Sequence, residues 1–196
     1  MKRKIMDRRV EKTKHSIINA FLEMRSKKDI EKIRVKELCE KAGINKSTFY
    51  THYQDIYDLS AQIETQAASD VLNRIGHPEA ILSDPELFTK ELYYAYLSHT
   101  NLIQILFSGS RQNMLVVRIE ESLKEMVYRI RPELKENPVV DTLLTLEIYG
   151  EYYAFMKCRH FGDDAVIRIL CAHWKETVKL LQTPEYEYVG MRIDGT

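Results

Sequence analysis

Side chains that can donate hydrogen bonds crowd into one short stretch of the chain, residues 46–52. An ammonium group, two hydroxyls, a phenol and an imidazole are supplied by Lys46, Ser47, Thr48, Tyr50 and His52. Groups of this kind bond phosphate oxygens and the edges of bases, and a tyrosine ring can also contact a thymine methyl. The stretch therefore has the chemistry of non-covalent contact with nucleic acid.

The elements around this stretch predict how it is held. Apolar periodicity predicts a short helix over 35–42, and Gly43 follows with the left-handed conformation that ends a helix at little steric cost. After a tight turn, a second short helix is predicted over 46–53. Two short helices joined by a glycine turn are typical of a helix-turn-helix, whose second helix enters the major groove. A preceding helix over 8–25 is expected to complete a small apolar core from Ile17, Phe21, Leu38, Ile44, Phe49 and Tyr53.

The segment from Glu40 to Tyr53 resembles the signature of the TetR family of transcriptional regulators. That signature has a small residue and a glycine, then an aliphatic residue, then a polar stretch leading to a tyrosine and a second aromatic three residues later. The matching positions here are Ala42, Gly43, Ile44, Phe49, Tyr50, Tyr53 and Leu59. The resemblance covers about residues 10–60, and the rest of the chain fits the family in length and helix count.

The resemblance implies a homodimer whose two recognition helices enter successive major grooves of a pseudo-palindromic operator in double-stranded DNA. It also implies an unknown small-molecule effector held by the C-terminal helices, and repression rather than activation. The residues predicted to contact DNA are Arg34, Lys36, Lys46, Ser47, Thr48, Tyr50 and His52. The alternative for Tyr50 is a surface aromatic without function, and the alternative for His52 is capping or packing.

Two positions depart from the family pattern. Arg34 stands where the family often has a Ser or Thr that caps the helix and contacts a phosphate, so phosphate attraction is kept without that cap. Ile56 replaces a lysine that is often used on the DNA backbone. A basic arm can compensate in the minor groove or along the backbone, or it is an ordinary solvated tail. The arm consists of Lys2, Arg3, Lys4, Arg8 and Arg9.

The charge of the chain is divided between two unlike parts. Residues 1–54 carry fifteen Lys and Arg against seven Asp and Glu, an excess of eight positive charges. Because the whole chain has a net charge of zero, the remainder carries the matching negative excess. This asymmetry favours a nucleic-acid surface joined to a different module, and the alternative is a solvated basic face without a partner.

The chain is predicted to be all-α, because no stretch sustains the two-residue alternation of a strand. We expect a three-helix DNA-binding domain over 1–54, a helical regulatory and dimerisation domain over 55–183, and a tail over 184–196. The helices predicted beyond the first three cover 55–75, 86–99, 102–107, 113–131, 139–158 and 164–181.

The C-terminal helices offer candidate contacts for a second copy and for the effector. The family's interface is a four-helix arrangement of the last two helices of each subunit. Its candidates, which alternatively fill the subunit's own core, are Gly150, Ala154, Val166, Ile169, Leu170, His173, Trp174 and Val178. The aromatic candidates for effector contact, which alternatively are core residues, are Tyr93, Tyr96, Phe107, Tyr128, Tyr152 and Phe155.

Other kinds of function find less support. The chain lacks a phosphate-binding loop, a nucleophile elbow and a zinc-protease motif, so we predict neither an enzyme nor a cofactor. Cys158, His160, Cys171 and His173 are of types that zinc accepts, but helical residues two apart point about 200° apart, so no metal site is predicted. The main alternative keeps DNA binding and gives the C-terminal domain a protein partner instead of a small ligand.

The sequence also carries expectations about location. No apolar run approaches the roughly 18 to 20 residues that span a bilayer, and no apolar segment follows the basic N-terminus. An odd and sparse set of three cysteines does not suggest a disulfide framework. We therefore expect a protein of the reducing cytoplasm without membrane contact.

Overall fold

The computed structural model describes the backbone of residues 2–181 and the side chains of residues 9–179. All regular structure in this part of the chain is helical, which confirms the predicted all-α class. The helices are α1 Lys2–Arg25, α2 Val35–Ala42, α3 Lys46–Tyr50, α4 Ile56–Leu72, α5 Ala80–Ser83, α6 Pro85–Ser98, α7 Thr100–Leu106, α8 Met114–Ile130, α9 Pro138–Cys158 and α10 Asp163–Leu181. The predicted tail over 184–196, and the side chains of Lys2, Arg3, Lys4 and Arg8, lie outside the described residues.

The chain forms two compact units that are not simple halves of the sequence. The first holds the chain up to Ala67 and also the distant segment Asn101–Leu115. The second holds Ala68–Thr100 and the chain from Val116 onward. The sequence predicted a short helix over 102–107 as part of the C-terminal domain, whereas in the structure α7 and the turn after it pack in the first unit.

The core of the first unit is built from one apolar face of each of its helices. Ile17 and Phe21 are fully buried on α1, four residues apart, as helical periodicity requires. Leu38 of α2, Phe49 of α3 and Leu59 of α4 are fully buried with them. Every helix near α3 is therefore anchored by a large apolar side chain, and this fixes where α3 can lie.

Two helix ends differ from the sequence-based expectation. α1 begins at Lys2 instead of residue 8, because nothing in the basic arm breaks a helix. α3 ends at Tyr50 instead of residue 53, and just after it the Thr51 hydroxyl donates to the carbonyl of Thr48 at 2.7 Å. The amides of His52 and Tyr53 both donate to the carbonyl of Phe49, so the chain leaves α3 through a closed turn.

The second unit has a separate apolar core in which α6 and α9 pack against α10. Trp174 of α10 is buried there, and its indole N–H donates to the carbonyl of Ile81 at 3.0 Å. Ile81 lies in α5, a single turn that the sequence analysis did not predict. Pro85 then opens α6, with the side chain of Asp84 accepting from the Leu87 amide. None of the described helices combines the length and apolar composition that a bilayer crossing requires.

Two carboxyl groups interrupt the interior of the second unit, one turn apart on α9. Glu147 is buried, and it accepts from the Thr177 hydroxyl at 2.9 Å while its other oxygen lies 2.9 Å from His173 Nε2. The next carboxyl, that of Glu151, has a buried oxygen without a hydrogen-bond partner among the described residues. Burial, and then the nearby charge of Glu147, raises the pKa of Glu151 to about 8. The Glu151 carboxyl is therefore largely protonated at neutral pH.

The raised pKa of Glu151 predicts a loss of stability with rising pH. The folded state binds this proton more tightly than the unfolded state, whose carboxyl has the ordinary pKa near 4.5. The stabilising contribution is therefore complete below pH 4.5 and is lost as the pH rises through 8. Glu151→Gln removes this dependence, and at pH 9 it should raise the free energy of unfolding by about 1–3 kcal/mol relative to the parent.

Urea unfolding of both proteins at pH 5, 7 and 9 measures this difference. Glu125→Gln is the control, because Glu125 is an exposed carboxyl in the same unit. A Glu151→Gln variant with the same pH dependence as the parent would contradict the assignment.

Candidate nucleic-acid interface

The turn between α2 and α3 is set by two residues. Gly43 ends α2 with φ +67°, in the left-handed region that glycine enters without strain, and its amide donates back to α2. Asn45 then caps α3, because its side-chain oxygen accepts from the Thr48 amide at 2.8 Å. The two short helices are therefore joined as a helix-turn-helix, with a defined end and a defined start.

Aromatic side chains pack on the buried side of α3. Phe49 is fully buried, and its ring contacts Tyr50 edge-on at 5.4 Å and Tyr53 at 5.7 Å between centroids. Burial raises the pKa of the Tyr53 phenol, so this tyrosine acts as a neutral packing residue. Tyr50 points the other way and keeps 56 % of its surface exposed. The helix thus buries one aromatic and presents another.

The structure brings most of the predicted DNA-contacting residues onto the surface of one small region. Those that are exposed are Arg34, Lys36, Lys46, Ser47 and Tyr50. Thr48 and His52 are half-buried, and the ring of His52 lies 6.2 Å from that of Tyr53. Arg34 occupies the position before α2 without a side-chain capping bond, as its departure from Ser or Thr predicted. Ile56, at the other departure, is buried.

The two hydroxyls of α3 have a role within the fold. Ser47 Oγ and Thr48 Oγ1 each lie 2.7 Å from the side-chain oxygen of Asn45 and donate to it. Their lone pairs remain available to accept. A hydrogen bond from either hydroxyl to a phosphate or base requires the proton to turn away from Asn45, and Asn45 keeps its bond to the Thr48 amide when that happens.

Positive charge near the turn is only partly neutralised by the protein. Lys27 and Lys41 share Glu23, and Lys28 pairs with Glu37 at 2.8 Å. Lys36 lies 3.9 Å from Glu40, an exposed pair within one helix that contributes little. Among the residues with described side chains, neither Arg34 nor Lys46 forms an ion pair. The uncompensated cations therefore flank the two short helices.

Asn45 was missed as a functional position. It was expected only as part of a tight turn, although Asn before a helix start is a strong capping signal. Arg25, Glu64 and Arg111 were also missed, and they form buried polar contacts within the first unit. Glu64 carried a signal, because it recurs at helical spacing among the apolar residues of α4. No local sequence pattern indicates Arg111, because Arg111 and Glu64 lie 47 residues apart in the chain.

The aromatic residues predicted for effector contact fall into different places. Tyr93, Tyr96 and Phe155 are buried together in the second unit, with ring centroids 4.6 and 5.9 Å from Phe155. Tyr152 is half-buried and contacts Tyr153, and burial raises its pKa to about 12. The remaining candidates are separate: the Tyr128 hydroxyl donates to Asp141 at 2.9 Å, and Phe107 belongs to the first unit.

The residues predicted for a dimer interface also divide. Four are buried inside the second unit, and they are Val166, Leu170, Trp174 and Val178. Gly150, Ile169 and His173 are exposed, and Ala154 is half-buried. Other large apolar side chains exposed in the same unit are Tyr94, Leu146, Tyr153, Met156 and Phe161. Leu146, Gly150 and Tyr153 recur at helical spacing along α9, so an apolar face of this helix is open to solvent.

The possible zinc ligands do not converge. Cys171 Sγ lies 3.6 Å from the carbonyl of Glu86, and His160 Nδ1 lies 2.8 Å from the carbonyl of Lys157. Burial raises the pKa of the Cys171 thiol, which disfavours the thiolate that binds metal. Within the described part of the chain, no three His, Cys, Asp or Glu side chains come together in a metal-binding arrangement.

Comparison with known proteins gives one similarity over part of the chain. Over 89 residues, 28 % are identical to an uncharacterized HTH-type transcriptional regulator, YxbF, of Bacillus subtilis strain 168. The match covers 45 % of this chain and 22 % of that protein, so this chain corresponds to less than a quarter of its relative's length. No family model and no solved structure matches the chain. The similarity is to a protein named for the same motif that α2, the Gly43 turn and α3 form here.

Proposed function

We propose that this protein is a DNA-binding transcriptional regulator that reads an operator through α3. The observation that carries the proposal is the geometry of α3, a capped helix that buries Phe49 and presents Tyr50, Lys46 and Ser47 to solvent. A helix held in this way has the size and the side chains to enter the major groove. The relative named as an HTH-type transcriptional regulator supports the same class of function.

The charges support phosphate contact around that helix. Arg34 and Lys46 are exposed and form no ion pair with the described side chains. Both can therefore pair with the phosphates of a bound duplex. Lys46 also lies in the first turn of α3, where the helix N-terminus favours an anion. These two cations orient the protein on the duplex, while Tyr50 and Ser47 supply contacts to base edges or methyl groups.

The protein acts as a homodimer in this proposal, as the resemblance to TetR regulators implies. The exposed faces of α9 and α10 are the proposed contact, because Leu146 and Ile169 keep 62 % and 68 % of their surface exposed. Gly150 has no atom near the position of a Cβ, so another helix can approach α9 closely there. His173 links the two helices through Glu147. Val166, Leu170, Trp174 and Val178 support this face from inside.

Control by a small effector is the second part of the proposal, and repression is its expected sign. The buried rings of Tyr93, Tyr96 and Phe155 in the second unit are the proposed contacts for the effector. The alternative occupant of this unit is a protein partner, for which the exposed Phe161 is suited. A thermal-shift screen of metabolites separates the two, because a ligand of the native state raises Tm.

The proposal is tested by titrating the protein against a duplex from its own upstream region and a scrambled duplex, at several salt concentrations. We expect the upstream duplex to bind about 10³-fold or more tightly, with a steep loss of affinity as salt rises. Preference for one duplex shows sequence reading, and the salt slope shows phosphate contact. Absence of binding to either duplex at low salt would contradict DNA binding.

Tyr50→Ala should weaken binding to the preferred duplex by about 1–3 kcal/mol, because it removes an exposed side chain of the proposed reading surface. The helical circular dichroism should stay unchanged, since Tyr50 is outside the core. Tyr94→Ala is the matched control: Tyr94 has similar exposure but lies in the second unit. Equal affinities for Tyr50→Ala and the parent remove Tyr50 from the reading surface.

Ile169→Glu should dissociate the dimer, because it introduces a charge into the proposed apolar contact. Sedimentation velocity should show the dimer dissociation constant rising by about tenfold or more, and operator affinity should fall with it. Lys175→Glu, an exposed substitution elsewhere on α10, should leave the dimer intact. An Ile169→Glu variant that sediments like the parent places the interface elsewhere.

A further inference from the structure

A distant piece of chain is held inside the first unit by two arginines, of which Arg25 is buried and Arg111 is partly buried. Arg25, at the end of α1, is almost fully buried, and its guanidinium donates to the carbonyls of Leu106 and Ser108 at 3.3 and 3.2 Å. It also donates to the Ser108 hydroxyl at 2.8 Å. The bond to Leu106 engages a carbonyl in the last turn of α7, while the Ser108 carbonyl, just beyond the helix, also accepts from the Arg111 amide at 3.1 Å. The end of α7 is therefore fixed to the end of α1.

The second arginine connects the same segment to α4. Arg111 donates from Nε to Glu64 Oε1 at 2.9 Å and from Nη2 to Glu64 Oε2 at 2.5 Å, a two-bond pairing with a defined orientation. Glu64 is 0 % exposed, and Ser60, one turn earlier on α4, donates to it at 2.7 Å. A fully buried carboxylate needs such partners, so the position of α4 and that of Arg111 are set together.

The turn between these arginine contacts is fitted closely to the first unit. Gly109 has φ +58°, and a Cβ at this position would lie 2.9 Å from the Asp29 carboxylate. The Ser110 hydroxyl donates to the carboxylate of Glu31, in the single turn between α1 and α2. Residues 106–111 therefore contact α1, the turn before α2, and α4, which are the elements around the helix-turn-helix.

The path from Glu64 to α3 is short. α4 begins at Ile56, six residues after α3 ends, and Leu59 and Phe49 are both fully buried in the core of this unit. The connection is closed by two side-chain bonds, from the Asp58 amide to Asp55 and from the Gln54 amide to Asp58. α3 and α4 are therefore joined by a short, hydrogen-bonded connection, and each buries a large apolar side chain in the first unit.

We propose that Glu64 and Arg111 are positioning residues for DNA recognition: their ion pair fixes α4, and through α4 the orientation of α3, against a segment from the middle of the chain. This inference rests on the proposed function. α8 begins at Met114, three residues after Arg111, and continues into the second unit. The pair therefore lies close in the chain to the start of α8.

The test replaces the pair by apolar side chains of similar length. Arg111→Met alone should lower Tm, because Glu64 loses the two hydrogen bonds and the positive charge that Arg111 supplies. The double variant Glu64→Met and Arg111→Met should regain most of that Tm, because neither charge remains. Its net charge equals that of the parent, so affinity for scrambled DNA should change by less than about twofold. Affinity for the preferred upstream duplex should nevertheless fall by about tenfold or more.

Loss of preference in a double variant with recovered Tm is the result that a merely structural pair would not produce. A double variant that binds the upstream duplex within twofold of the parent overturns the inference. Failure of the proposed function looks different, because the parent itself then shows no preference between duplexes. Arg131→Met, in an exposed pair with Glu133, is the control and should behave like the parent.

A second measurement tests the inference if the double variant does not fold. Glu64→Gln keeps the side-chain shape and can still contact Ser60 and Arg111, but it removes the charge. Amide hydrogen exchange of residues 46–55 should be faster in this variant by about tenfold, with the second unit unchanged. Exchange at the parent rate in 46–55 overturns the positioning role without reference to DNA.

Discussion

A helix of five residues has no stability of its own in water, and the candidate DNA-reading surface stands on such a helix. α3 persists because its surroundings supply what its length does not: a cap from Asn45, a closing bond from Thr51, and burial of Phe49. Each of these contacts comes from a residue within or beside α3. The direction in which α3 points, however, depends on the longer helices that surround Phe49.

Two buried carboxyl groups are stabilised in different ways in this protein. In the first unit, Glu64 is compensated by a guanidinium and a hydroxyl, an arrangement that demands fixed geometry. In the second unit, the Glu151 carboxyl is compensated by a proton, which burial and Glu147 make hard to remove. The ion pair of Glu64 restricts movement between helices. The protonated carboxyl of Glu151 makes the stability of the second unit sensitive to pH, and it does not require its neighbours to adopt a fixed geometry.

Local signals in the sequence predicted much of the fold and the exposure of most residues of the candidate surface. The spacing of apolar residues located most of the helices, and Gly43 located the end of α2. The sequence could not predict that residues 101–115 belong to the first unit, because Arg25 and Leu106 are 81 residues apart and no local pattern joins them. Periodicity also marks an apolar stripe without saying what covers it. Val166 and Leu170 face their own core, while Ile169, on the same helix, faces solvent.

The chain contains a single tryptophan, and the structure places it in the interior of the second unit, bonded to the carbonyl of Ile81. The first unit, up to Ala67 and over Asn101–Leu115, has no tryptophan. Intrinsic indole emission is therefore an optical signal of one unit only, and it shifts when Trp174 meets water. Far-ultraviolet circular dichroism reports on the helices of both units. Recorded on one sample, the two signals distinguish a molecule that melts as a single cooperative body from one whose first unit opens before the second.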